Sequence, residues 1–135
     1  MTTPLQQPFR QRTETEYRGP LRIPQPIDIV SLQTTVSTLY TAGDASEFHI
    51  ESLIAANKTG TDDWVTVYLV PDGGTAGTSN VIAYQWEVSA KSNVTIFDRN
   101  NRALLQSGGT LQAVCGTNDA INIFGYGYDY QGIRE

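Results

Sequence analysis

DWVTVYLVPDGGTAGTSNVIAYQWEV, residues 63–88, sets two runs of β-branched and aromatic residues on either side of a loop rich in Gly, Thr, Ser and Asn. Apolar residues recurring at a period of two belong to a strand, because successive side chains leave opposite faces of a pleated sheet. In the first run Val65, Val67 and Leu69 take one side and Trp64, Thr66, Tyr68 and Val70 the other, so both faces of this strand are expected to be covered. In the second, Ile82, Tyr84, Trp86 and Val88 share a face. The loop residues accept the positive φ angles of tight turns. The stretch therefore predicts an antiparallel hairpin.

The same period continues on both sides. SLQTTVSTLYT (31–41) spaces Leu32, Val36 and Tyr40 among Thr and Ser. EFHIESLIAAN (47–57) puts Phe48, Ile50 and Ser52 on one face, and Leu53 with Ile54 shifts the register as a bulge does. NVTIFDRN, ALLQSGG, TLQAVCG and AINIFGYGYDY complete the series, separated by NKTGTDD, AKSN, DRNNR, QSGGT and GTND. Strands every ten to fifteen residues or so, with turn chemistry between them and no helical period, predict an all-β fold: an antiparallel β-sandwich or jelly-roll-like domain. With 39% hydrophobic and only 17% charged residues, the composition suits strands with neutral polar outer faces rather than a charge-covered helical bundle. A length of 135 residues is that of one domain.

The front of the chain reads differently. PFRQRTETEYRGPLRIPQP (Pro8–Pro26) holds four arginines, two glutamates and four prolines. Proline fixes φ and lacks an amide donor, so IPQPIDI (23–29) is expected to be a stiff, polyproline-like lead. Residues 1–28 are accordingly read as an extended Arg/Pro-rich assembly arm and residues 29–135 as the β-sandwich domain. Arg10, Arg12, Arg18 and Arg22 are its candidate charged contacts, and Phe9, Tyr17, Leu21 and Ile23 its apolar pegs. Against Glu14, Glu16 and Asp28 the arm is net +1, while the remainder carries five cations against eleven acids. Such an acidic body lacks the cationic surface that nucleic acid requires, so no direct nucleic-acid partner is expected.

Chemistry is hard to assemble from these residues. Cys115, the only cysteine, sits in the strand pattern LQAVCG and reads as a buried structural thiol. His49 is the only histidine, and a relay with Ser52 lacks a nucleophile elbow. Asp62 and Asp63 are adjacent, which on a strand sends their side chains to opposite faces. PDGGTAGTSN is followed by neither Lys-Ser/Thr nor a helix, so it reads as a mobile hairpin loop rather than a phosphate cradle. Neither zinc-ligand spacing nor a calcium loop is present, and catalytic residues, cofactor and metal are all expected to be none. The expectation is a non-enzyme, made in a cytoplasm, with no membrane segment. Asn57 and Asn93 open N-x-Thr triplets, which matter only in a secreted eukaryotic protein.

FGYGYDYQGIRE (124–135) aligns Phe124, Tyr126, Tyr128 and Tyr130 on one face, with Gly125 and Gly127 on the other, where a neighbouring backbone or ring comes close. The four rings are either half-buried core or a subunit interface, where tyrosine is enriched; Tyr126, Tyr128 and Tyr130 are therefore candidate partner-binding residues.

The segments WVTVYLVPDGGTAGTSNVIAYQWEVSA and LLQSGGTLQAVCGTNDAINIFGYGYDYQ together resemble the small β-sandwich structural proteins of tailed bacteriophage virions. The likeness spans roughly Leu32 to Tyr130, with Leu105, Gly109, Leu111, Ala113, Ile121, Ile123 and Gly125 or Gly127 at the positions of the closing hairpin. The end departs from it, since GYGYDYQGIRE replaces a short terminal G-x-E, and the arm lies outside it. The resemblance implies a non-enzymatic virion protein assembled in the host cytoplasm. Its implied partners are major capsid or neck and tail proteins, together with further copies of itself in a homo-oligomer or multi-copy array. A capsid decoration (cement) subunit strapped down by its arm is the leading expectation. A neck or tail attachment protein (a head–tail connector or fibre anchor) is the alternative. A carbohydrate-binding module using Trp64, Trp86 and the tyrosines is the more distant one.

Overall fold

The computed structural model describes residues 21–131. It contains nine strands: β1 (Leu21–Ser31), β2 (Ser37–Thr41), β3 (Ser46–Asn57), β4 (Asp63–Val70), β5 (Val81–Val88), β6 (Asn93–Phe97), β7 (Ala103–Leu105), β8 (Thr110–Cys115) and β9 (Ile121–Gln131). No helix occurs among the described residues. One antiparallel sheet runs β1-β9-β3-β6, with β7 also pairing β3, and the other runs β2-β8-β4-β5. The chain crosses between sheets at every connection except the β4–β5 hairpin and the β6–β7 break. That strand order is the jelly roll, with β6 and β7 sharing one edge position along β3. The all-β sandwich expected from periodicity is the fold.

The core lies between the sheets. Ile27, Phe48, Ile50, Leu53, Ala55, Ile121 and Ile123 face in from one side, and Val65, Val67, Ala83, Val88, Leu111, Ala113 and Cys115 from the other. β4 lies between β8 and β5, and on its side away from the core Thr66 is buried while Trp64 and Tyr68 are half-buried. Two alternation readings are corrected. The bulge in β3 falls at Glu51, so Ser52 pairs with Tyr126 on the outward face instead of joining Phe48 and Ile50. In β5 the register slips between Trp86 and Ala83, where Gln85 takes φ +46°. Val88 and Trp86 therefore share a side with Asp63 and Val65, but across the slip Ala83 takes the core side and Tyr84 is left 70% exposed. The loop between β4 and β5 is tied by Asn80, whose side chain accepts from the Gly77 amide and donates to the Thr75 carbonyl.

The boundary expected at residue 28 falls inside β1. Ile23–Ile29, read as a polyproline-like lead, is an edge strand paired with β9 from Leu21↔Gln131 to Ser31↔Asn122. Its prolines fit because Pro24↔Tyr128 and Pro26↔Tyr126 cannot be hydrogen-bonded pairs, so both ring nitrogens face the free edge. The expected arm residues Phe9, Arg10, Arg12, Tyr17 and Arg18 lie outside the described residues.

As the sequence suggested, the glycines of β9 are places of close approach. A Cβ on Gly125 would run into the Ser52 carbonyl, and one on Gly127 into the His49 carbonyl oxygen and the Phe48 ring. Neither neighbour is a flexible side-chain tip. Gly127→Ala is expected to lower stability by about 1–3 kcal/mol through overpacking, measured by urea unfolding; an unchanged midpoint would show that β3 yields freely.

Candidate functional site

The outward face of the β1-β9-β3 sheet is unusual for a solvated surface. Antiparallel partners share a face, so register groups Arg22, Pro24 and Pro26 of β1 with Tyr130, Tyr128 and Tyr126 of β9. The same rows continue into Glu47, His49 and Ser52 of β3, and Leu104 of β7 stands opposite His49. Phe124 and Ile54 extend the strip along the sheet. Tyr126 is 42% and Leu104 41% exposed, while Tyr128 and Tyr130 are half-buried by their neighbours. The four aligned rings of β9 are thus on the outer surface, not in the core between the sheets.

Contacts within the strip hold it in one shape. The Arg22 guanidinium lies 3.8 Å from the centroid of the Tyr128 ring. Tyr126 meets Tyr128 edge to face at 6.3 Å. The His49 ring lies tilted by 36° against that of Tyr130, centroids 4.2 Å apart, with its Nε2 3.4 Å from Glu47 Oε1. Of the residues singled out from the sequence, the structure brings Arg22, Tyr126, Tyr128 and Tyr130 together. Ile23 is separated from them; it pairs with Asp129 on the inward face and is half-buried in its own domain. Leu21 is placed only as the first β1 position, opposite Gln131. Pro24, Pro26, His49 and Leu104 were missed, since their place in the strip follows from cross-strand register rather than from spacing in the chain.

At the same end of the domain Asp129 points inward and is buried. Its Oδ2 accepts from Gln131 Nε2 at 3.1 Å, and its Oδ1 has no hydrogen-bond partner among the described residues. Glu51, at the β3 bulge, is held by Arg102 through a 2.9 Å ion pair. His49 and Ser52 are parted by the bulge, and the polar partner of the imidazole is Glu47.

The opposite end carries a shallow concavity. A cleft of about 300 Å³ is lined by Asp62, Asp63, Trp64, Gln85 and Glu87. Asp62 and Asp63, expected on opposite faces, line the same cleft because Asp62 precedes β4 and escapes strand alternation. Each already has a structural bond: Asp62 Oδ1 accepts from the Ala90 amide and Asp63 Oδ1 from the Trp64 amide, both across less than 3 Å. Their geometry is that of turn capping rather than of a shared proton. No group of three or more metal-ligating side chains occurs among the described residues.

No protein family matches the chain, and no curated protein does. Among solved structures, a protein of Bacillus endospore appendages, described as a novel family of disulfide-linked pili, matches with a TM-score of 0.52 and 16% identity, over 83% of this chain and 89% of that one. A chain of infectious bursal disease virus, Gx strain, matches with a TM-score of 0.48 and 12% identity, over 83% of this chain and 32% of its own. A chain of the extra small virus of the prawn Macrobrachium rosenbergii gives 0.44 and 14%, over 86% and 82%. The first is a likeness of fold alone, and the two viral matches are too loose to carry an argument.

Cys115 is 1% exposed, and its Sγ donates to the Thr117 carbonyl at 3.0 Å. Burial pushes its thiol above the ordinary value of 9.0, and burial together with the charge of Asp129 raises Tyr40 above 10.0. Both groups keep their protons in the folded state at a pH where the unfolded chain loses them. Their stabilisation is fully present below the ordinary thiol value and is lost as pH climbs through 9.0 and then 10.0. At pH 8 the native thiol is expected to resist a disulfide reagent that labels it fully in denaturant, and the contribution of these two groups to the melting temperature is expected to be lost only in the alkaline range. Rapid labelling of the folded protein would show that the strand opens locally.

Proposed function

We propose that this chain is a non-enzymatic structural subunit of a virion, used in many copies and held by non-covalent surface contacts. Within that class a tailed-phage capsid decoration (cement) subunit is the leading reading, and a neck or tail attachment protein is second. The observation that carries the subunit reading is the outward aromatic strip Tyr126, Tyr128 and Tyr130 with Pro24, Pro26 and Leu104. A monomer seldom leaves so continuous an apolar row uncovered, and aromatic rings are what protein interfaces favour.

The free edges favour face-on contact. Pro24 and Pro26 remove two amide donors from the outer edge of β1, β5 is broken by its register slips, and β2, β6 and β7 have five residues or fewer. These are devices that stop a sheet from recruiting another strand. The Bacillus appendage protein belongs to disulfide-linked pili; here the only cysteine is buried, so copies have no exposed thiol through which to be joined. The Arg/Pro-rich front of the chain fits the same reading as a strap, adding arginine–carboxylate contacts beyond the reach of the domain.

Quantitative mass spectrometry of purified particles from the producing cells tests the reading. Hundreds of copies per particle mark a shell protein and a dozen or fewer a neck or tail protein, while absence from particles overturns the reading. Tyr126→Ser with Leu104→Ser is expected to weaken attachment at least about tenfold, a loss of roughly 1.4 kcal/mol of binding. Because both side chains are already exposed, the melting temperature is expected to stay nearly constant. Attachment as tight as the wild type would remove the strip from the interface.

A further inference from the structure

The outer strip carries its charges in two halves. Across the sheet the order is β1, β9, β3 and then the edge that β6 and β7 share, so the midline of the face runs between β9 and β3. On one side of it the Arg22 guanidinium leans from β1 over the Tyr128 ring of β9. On the other side Glu47 lies in β3, level with Arg22 along the strands, since both stand opposite Tyr130. Among the described residues Arg22 has no carboxylate partner, and Glu47 meets His49 but no lysine or arginine. The charged pair beside the strip, Glu51 with Arg102, is already closed. A face with a cation in one half and a carboxylate at the same level in the other is complementary to itself.

We propose that a second copy of this chain covers the strip, face to face, about a two-fold axis parallel to the strands. Such a rotation keeps every residue at its own level along the strands and exchanges the two halves of the face. Tyr128 then lies over the partner's His49, Phe124 over the partner's Ile54, and Pro24 over the partner's Leu104. The guanidinium that leans over Tyr128 arrives on β3 of the other copy, beside the partner's Glu47, and the ion pair forms twice. This deepens the subunit reading and rests on its placing of the interface at the strip.

The charges decide the direction of the axis. An axis across the strands, through the middle of the strip, also brings Arg22 towards a carboxylate, the partner's Asp28, but it lays Glu47 on the partner's Ile54. The axis along the strands matches both charges. It also keeps the strand directions of the two sheets within the roughly 30° that face-to-face packing favours. Size agrees as well. Four strand positions at about 4.8 Å and the eleven residues of β9 at about 3.3 Å give a face on the order of 700 Å². Two such faces together bury about 1,400 Å², inside the span of roughly 1,200–2,000 Å² over which specific interfaces are stable.

The test is charge reversal in the full-length chain, read by sedimentation velocity. The wild type is expected to pass from monomer to dimer as concentration rises and to stop there, because a two-fold contact closes on itself. R22E brings two carboxylates together at each contact and E47R two cations, so each variant alone is expected to associate at least about tenfold more weakly. An equimolar mixture of the two is expected to recover the wild-type affinity as a one-to-one dimer, since opposite charges then face each other in both pairs. Neither side chain is buried, and equal melting temperatures check the fold. Hydroxyl radicals are expected to label Tyr126 and Leu104 in the monomer and to spare them in the dimer. The inference is overturned if the wild type stays monomeric up to about 1 mM, if it runs past the dimer into open chains, or if the mixture recovers nothing. Protection of Tyr126 in the monomer overturns it too, since the chain's own terminal residues then cover the strip. Particle composition decides the subunit reading separately. Copies in particles without a dimer in solution leave that reading standing and put another protein on the strip, whereas a dimer absent from particles leaves the pairing standing alone.

Discussion

Two positions in the middle of β9 have to carry no side chain, and much of the molecule is arranged around that requirement. Gly125 and Gly127 face inward, where β3 passes close enough for its Ser52 and His49 carbonyls to occupy the space a Cβ would take. With position 127 bare, the Phe48 ring lies against it, and Tyr40 from the other sheet stacks on Phe48 at 3.9 Å. One missing side chain thus makes room for a stacked ring pair that links the two layers, and aromatic pairs are worth about 0.5–1.5 kcal/mol beyond burial. The alternate positions cannot be inward as well. Phe124, Tyr126, Tyr128 and Tyr130 are outward because the glycines are inward, so the candidate interface is a consequence of how the core closes.

The bulge at Glu51 belongs to the same arrangement. An extra residue in β3 lets Phe48 and Ile50 face inward before it and Leu53 and Ala55 after it, keeping contact with β9 along the whole strand. A residue displaced by a bulge has no place in the ladder, and Glu51 is anchored instead by Arg102, just ahead of β7. That anchor helps fix where β6 gives way to β7, and so where Leu104 comes up beside His49 in the outer strip.

The fold was legible because alternation in a sandwich is imposed by burial itself: Val65, Val67, Phe48, Ile50, Ile121 and Ile123 are inside for the reason their spacing implies. What escaped was register. Nothing in VIAYQWEV announces a residue with positive φ at Gln85, since the slip is set by Thr66, whose hydroxyl accepts the Gln85 amide at 2.8 Å from the neighbouring strand. Ile23–Ile29 reads as a lead because two prolines deny a central strand. They do not deny an edge strand whose missing donors face solvent. Asp62 and Asp63 are separated only by a rule that holds within a strand, and the first of them lies outside one. The glycines and aligned tyrosines of β9 could be read as a face, but which way that face looked depended on strands far away in sequence.

On the proposed subunit reading, guarded edges leave assembly to the faces of the domain. A face that meets only its own copy closes into a pair related by a two-fold axis and goes no further. The aromatic strip lies wholly on the sheet of β1, β9, β3 and β7. Under that reading each contact made through it can be weak, because in an array every copy is held by several neighbours at once and escape requires all of them to let go together.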